Sequence, residues 1–163
     1  MRYGIENITK KLIKALIEKG VKICVAESIT GGKFAYEIIQ NKNASKIFDF
    51  GLVTYSKNSK SKILKLENLL KNYNLVSQEI SEGMIRGIIK YSNSKKILAI
   101  SCTGQAGPGI LNKKEKNGTV FISIGYKNKI YTFKKVFLLQ KRIDIINATV
   151  NEMINLSFQI IKN

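Results

Sequence analysis

Histidine is absent from the 163 residues of this chain. That removes every triad with an imidazole base and most zinc and iron sites. A catalytic base must then be lysine, tyrosine, a carboxylate or a terminus. Cysteine occurs twice, at Cys24 and Cys102, each inside an apolar, strand-like run where it acts as a small hydrophobe. Arginine is scarce, with only Arg2, Arg86 and Arg142 among 28 basic residues. No segment approaches the roughly 18 apolar residues of a spanning helix. The opening twenty residues mix lysines with apolar residues at helical spacing, unlike the unbroken apolar core of a signal peptide. These absences predict a cytoplasmic protein without a membrane partner, and a reducing setting that disfavours a disulfide.

Acidic residues are also few. Eleven carboxylates against 28 basic groups leave a net charge of +17. Such a charge suggests nucleic acid. The lysines, however, are spread along the whole length, and Lys, Ile and Asn are abundant throughout, as an A+T-rich coding bias would produce. A basic nucleic-acid-binding role therefore stays the less favoured alternative. A positive surface still attracts small anions such as nucleotides.

What is present is a core-forming composition, 44% hydrophobic, at a length that suits one domain over residues 1–163. Ile5, Ile8, Leu12, Ala15 and Leu16 share one helical face, and Gly20 suits the end of that helix. "VKICVA" reads as a buried strand, "GGKFAYEIIQN" as a short helix burying Phe34, Ile38 and Ile39, and "KIFDFGLVTYS" as a second strand. Residues 57–74 are lysine-rich and mostly helical. Ser77 is a suitable N-cap for the next helix, and "KKILAISC" is a third strand. After a glycine-rich loop with the only proline, Pro108, two strands flank a two-residue "KN" turn, which makes a hairpin. A final long helix carries Ile143, Ile146, Val150 and Met153 on one face. The pattern predicts an α/β fold: a three-layer α/β/α sandwich on a mixed sheet, with a β-hairpin in the C-terminal half and a last long helix.

Three stretches gather small and reactive residues at strand ends. "AESITGG" places Ser28 before Gly31 and Gly32, whose main-chain N–H groups could approach an anion or a developing oxyanion. "GLVTYSKNSK" holds Tyr55 and Lys60. A Ser–Lys pair performs acyl transfer without histidine, provided desolvation or nearby cations lower the lysine pKa. "SCTGQAGPG" offers Thr103 and several unhindered N–H groups. Each stretch also has a plain reading: a tight turn, a solvated lysine, a tyrosine that packs at a strand end.

In combination and order, "VAESITGG", "GLVTYSKNSK", Val76–Ser77, "SCTGQAGPG" and "NGTVFISI" resemble the CinA C-terminal domain family, over roughly residues 5 to 160. The likeness is to its stand-alone nicotinamide-nucleotide amidases, of the PncC type. The resemblance implies deamidation of nicotinamide mononucleotide to nicotinate mononucleotide and ammonia in pyridine-nucleotide salvage. It implies no cofactor and no metal, and a homodimer or other homo-oligomer. It also implies a nucleophile at Ser28, assisted by Lys60 and Tyr55. By the same likeness, Thr30, Gly31, Gly32, Thr103, Gly104, Gln105, Ala106, Gly107 and Arg142 bind substrate, Arg142 pairing with the phosphate. The family also occurs fused to a molybdopterin-binding-like domain linked to competence.

Some positions depart from the family pattern. The "GDR" turn before the last helix has Gln140 and Lys141 ahead of Arg142, "PVGTV" has Lys116 and Asn117, and Ile110 replaces a loop glycine. A non-catalytic nucleotide-binding module on the same loops is therefore the main alternative.

Overall fold

β1 (Lys22–Glu27) divides its side chains between two apolar compartments. Ile23 and Val25 enter one core with Leu12, Leu16, Phe34 and Met153. Cys24 and Ala26 enter another with Leu64, Ile80, Met84 and Ile88. A strand buried on both faces belongs in the middle layer of a sandwich. The computed structural model describes residues 2–107, 116–139 and 141–163, with side chains from residue 6 onward. The side chain of Ile5, the loop from Pro108 through Ile110 to Glu115, and Gln140 lie outside the described residues.

The sheet has the order β2-β1-β3-β4-β5. β1 runs parallel to β2 (Phe48–Val53) and to β3 (Ile97–Gly104). β4 (Thr119–Tyr126) and β5 (Lys129–Val136) complete it antiparallel. Helices α1 (Arg2–Lys19), α2 (Lys33–Ile39) and α6 (Arg142–Lys162) cover one face. Helices α3 (Lys57–Leu64), α4 (Glu67–Asn72) and α5 (Gln78–Ile89) cover the other. This is the mixed-sheet α/β/α sandwich that the sequence pattern predicts, hairpin and long last helix included. No helix among the described residues is long and apolar enough to cross a membrane.

Local signals act where expected. Gly20 ends α1 at φ +62°, with Val21 N–H returning to Leu16 O at 2.9 Å. Ser77 Oγ accepts from Ile80 N–H at the start of α5. Lys127 and Asn128 both take positive φ, as a two-residue hairpin turn demands. Three details differ. The helical stretch from residue 57 is two helices, because Lys65 turns left-handed at φ 58° and ends α3. Ile39 is 54% exposed and Ile143 52%, so neither joins its predicted apolar face. In α6 the inward stripe instead runs through Ile145, Val150, Met153 and Ile154.

The carboxyl ends of β1, β2 and β3 lie at one edge of the sheet. In open α/β sheets ligands bind beyond those ends. Residues 28–32, 54–56 and 105–107 leave the sheet there.

Candidate active site

β1 ends in Glu27, which follows Ile23 and Val25 onto the α2 side. Its carboxylate accepts from Thr30 Oγ1 at 2.5 Å, Gly32 N at 3.0 Å, Phe34 N at 3.1 Å and Ala35 N at 2.9 Å. The amino-terminal amides of α2 would otherwise be buried without acceptors. Gly32, the N-cap, has no side chain to serve them. Glu27 therefore caps α2 from a distance and closes the turn.

That closure changes the expected role of the glycines. Gly31 and Gly32 sit at φ +60° and +96°, where a side chain is strained. Gly31 N–H donates to Ser28 O, and Gly32 N–H to Glu27. The sequence reading assigned Thr30, Gly31 and Gly32 to substrate binding. The Thr30 hydroxyl and the Gly31 and Gly32 amides are instead engaged within the turn, and none of the three residues lines the cavity described below.

Ser28 follows Glu27 and faces the other layer. Lys60 Nζ stands 2.8 Å from Ser28 Oγ. The lysine is aimed there by α3. Ser56 and Ser59 exchange side-chain-to-backbone bonds in a capping box, and Lys60 N–H bonds to Ser56 O. Lys60 is only 1% exposed. Its Nζ also reaches Thr54 O at 2.5 Å and Tyr55 O at 3.5 Å. No carboxylate among the described residues pairs with it. Burial lowers its pKa from 10.5 to about 8, and the nearby Cys102 sulfur opposes this to a lesser extent. A neutral lysine has two N–H bonds and one lone pair. Two main-chain carbonyls can take the N–H bonds, which leaves the lone pair for the Ser28 hydroxyl proton.

A cavity of about 520 Å³ opens over this pair. Ser28, Ile29 and Lys60 contribute to its wall, with Leu75, Val76, residues 103–107, Tyr55, Ser56, Lys57 and Arg142 also lining it. Thr103 Oγ1 donates to Leu75 O at 2.7 Å, so its lone pairs rather than its proton remain for a ligand. Gly104 packs so tightly that a Cβ would lie 2.8 Å from Val120 and 2.9 Å from Ile29. Gln105 and Ala106 are buried, and Gly107 lies beside Arg142.

Tyr55 departs from its expected role. Arg142 Nη2 donates to the Tyr55 hydroxyl at 2.9 Å, while Lys60 meets only the main-chain oxygen of Tyr55. The phenol thus bonds to the arginine, and no hydrogen bond links it to Ser28 or Lys60.

Sequence reasoning missed Thr54, because a main-chain carbonyl acceptor leaves no trace in residue type. It also took Cys102 for a plain hydrophobe. Cys102 Sγ lies 3.1 Å from Thr30 Oγ1. Burial, then the Glu27 carboxylate, pushes its thiol up to about 11, while the Thr30 hydroxyl and the Ser28 and Thr30 amides work against them. The thiol is thus an uncharged partner beneath the Ser28 turn.

Comparison with known proteins follows the same lines. The family model for the CinA C-terminal domain matches residues 5–161. A CinA-like protein of Prochlorococcus marinus subsp. pastoris is 36% identical over 159 residues, 96% of this chain and 36% of that protein. The chain spans about a third of the length of the curated relatives it matches. Solved structures match over nearly their whole length. A competence-damaged protein (CinA) superfamily protein from Escherichia coli has a TM-score of 0.88 at 28% identity, over 96% of this chain and 90% of that one. A competence or damage-inducible protein from Enterobacter asburiae has a TM-score of 0.90 at 25% identity, over 96% and 98%.

Proposed function

The chain belongs to the CinA C-terminal domain family, and from that membership and the site chemistry we propose an amidohydrolase that deamidates nicotinamide mononucleotide. One observation carries the reading. Lys60 Nζ is buried, depressed in pKa and 2.8 Å from Ser28 Oγ. A surface lysine would be protonated and useless as a base at neutral pH. This one has the geometry and the burial of a general base.

The steps follow. Ser28 Oγ attacks the carboxamide carbon as its proton passes to Lys60 Nζ. The tetrahedral intermediate collapses. Its C–N bond breaks, and Lys60 gives the proton to the leaving nitrogen, which departs as ammonia. Water then attacks the acyl-enzyme. Lys60 takes a proton from that water and returns one to Ser28 Oγ as nicotinate mononucleotide leaves. Gly31 and Gly32 already spend their amides inside the turn, so the oxyanion is assigned to main-chain N–H groups of other residues that line the cavity, with Ile29, Ala106 and Gly107 as the candidates. The phosphate is assigned to Arg142.

The test is ammonia release from nicotinamide mononucleotide. Ser28→Ala is expected to abolish it, and Lys60→Ala to reduce it at least about 10³-fold. No turnover by the unaltered protein, or full activity in Ser28→Ala, rejects the reading. A thermal shift with the nucleotide but no product would favour the binding module instead.

A further inference from the structure

Tyr55 and Arg142 come from distant parts of the chain, at the starts of helices on opposite faces of the sheet. Tyr55 follows β2 just before α3, and Arg142 opens α6. They are 87 residues apart in sequence, yet their side chains meet at 2.9 Å on the rim of the cavity. Core packing does not account for the pair, because Tyr55 is 60% exposed. Helix preference does not account for it either. A cation in the first turn opposes the helix dipole, and here both Lys141 and Arg142 stand at that end with no side-chain cap. No carboxylate among the described residues pairs with Arg142. Gly107 lies beside the guanidinium, Nη1 being 3.4 Å from where its Cβ would stand.

The hydrogen-bond direction matters. The phenol accepts from Arg142, so its own proton stays available to donate. The guanidinium keeps its remaining N–H bonds. Lys57 lies on the same rim. Together these groups offer several donors and two positive charges to a compact anion. A phosphomonoester, carrying about −1.5 to −2 at pH 7, matches that set.

We infer that Tyr55 is a positioning residue that holds Arg142 ready for the substrate's phosphomonoester, and so sets the preference for nucleotide over nucleoside. The inference rests on the amidase reading above. It replaces a part in proton transfer with a part in phosphate recognition.

The experiment measures kcat and KM for nicotinamide mononucleotide and for nicotinamide riboside. Tyr55→Phe is expected to raise KM for the nucleotide about tenfold while kcat stays within about twofold. The riboside kcat/KM is expected to hold. In an Arg142→Ala background, Tyr55→Phe is expected to add nothing, because the phenol acts through the guanidinium. An equal fall in kcat on both substrates would make Tyr55 a proton-transfer group and overturn the inference. So would additive losses in the double variant. If the unaltered protein turns over neither compound, the amidase reading fails, and calorimetric titration with each compound still decides the role of Tyr55. Nucleotide binding about tenfold weaker in Tyr55→Phe, with riboside binding unchanged, supports the inference. Equal nucleotide affinity overturns it.

Discussion

In the proposed reaction the chemistry turns on one side chain, Lys60. Lysine is common in the chain, and the sequence singled this one out only as a candidate partner for Ser28 and by likeness to a motif. Burial is what makes it different. An ammonium with no carboxylate partner is penalised in a dry site, so the neutral amine gains ground. The sign of the pH dependence follows. Below about pH 8 the amine is mostly protonated and cannot take the Ser28 proton; above it the base form dominates. The rate constant kcat/KM for the nucleotide is expected to rise between about pH 6 and pH 8 and then level off. Lys60→Arg, which stays protonated, is expected to lose both the activity and that rising limb. A profile flat across this range would remove Lys60 from the base role. Glu27 is the opposite case. Its carboxylate stands one residue before Ser28, yet its four bonds make it a helix cap.

Helix α3 delivers Lys60, and its own position is set by contact with α5. Gly87 is where the two helices touch. A Cβ on Gly87 would stand 2.7 Å from Leu64 O and 2.8 Å from Leu64 Cβ, and backbone cannot yield as a flexible side chain can. Alanine is the better helix former by about 1 kcal/mol. Even so, Gly87→Ala is expected to destabilise the protein by about 1–3 kcal/mol, since overpacking outweighs propensity. Because Leu64 ends the helix that carries Lys60, kcat should fall as well. Thermal unfolding and single-substrate kinetics on this variant check both effects. Unchanged stability would mean that α3 and α5 slide freely past each other. The same element also shows how the helical stretch is divided. Residues 57–74 are mostly helical, and Lys65 turns left-handed between α3 and α4, where Leu66 and Leu70 enter the second core.

At the scale of the molecule, the net charge of +17 acts on everything that approaches it. A positive field raises the encounter rate of anions and is screened over about 8–10 Å at physiological salt. The kcat/KM for nicotinamide mononucleotide is therefore expected to fall several-fold between about 0.02 M and 0.2 M NaCl, with kcat nearly constant. Nicotinamide riboside has no phosphate, so its kcat/KM should change far less. Equal salt sensitivity for both would point to an effect on the protein rather than on steering. Weak affinity for DNA that vanishes by about 0.15 M salt would be the same charge effect and no more.

The sequence by itself determined the layers. Hydrophobic periodicity is local, so strands, helices, the hairpin turn and the capping serines could be read from neighbours alone. It also pointed to Ser28 and Lys60, because a Ser–Lys pair is one of few nucleophile–base pairs open to a chain without histidine, and because both fall in stretches that resemble the family's motifs. Direction and partnership were decided only by the tertiary structure. Whether Gly31 and Gly32 offer their amides outward depended on Glu27 reaching back to α2. Whether Tyr55 serves Lys60 or Arg142 depended on where α6 begins, 87 residues away. Hydrogen bonds form between groups that the fold brings together, and residue order alone does not say which of several donors reaches an acceptor first.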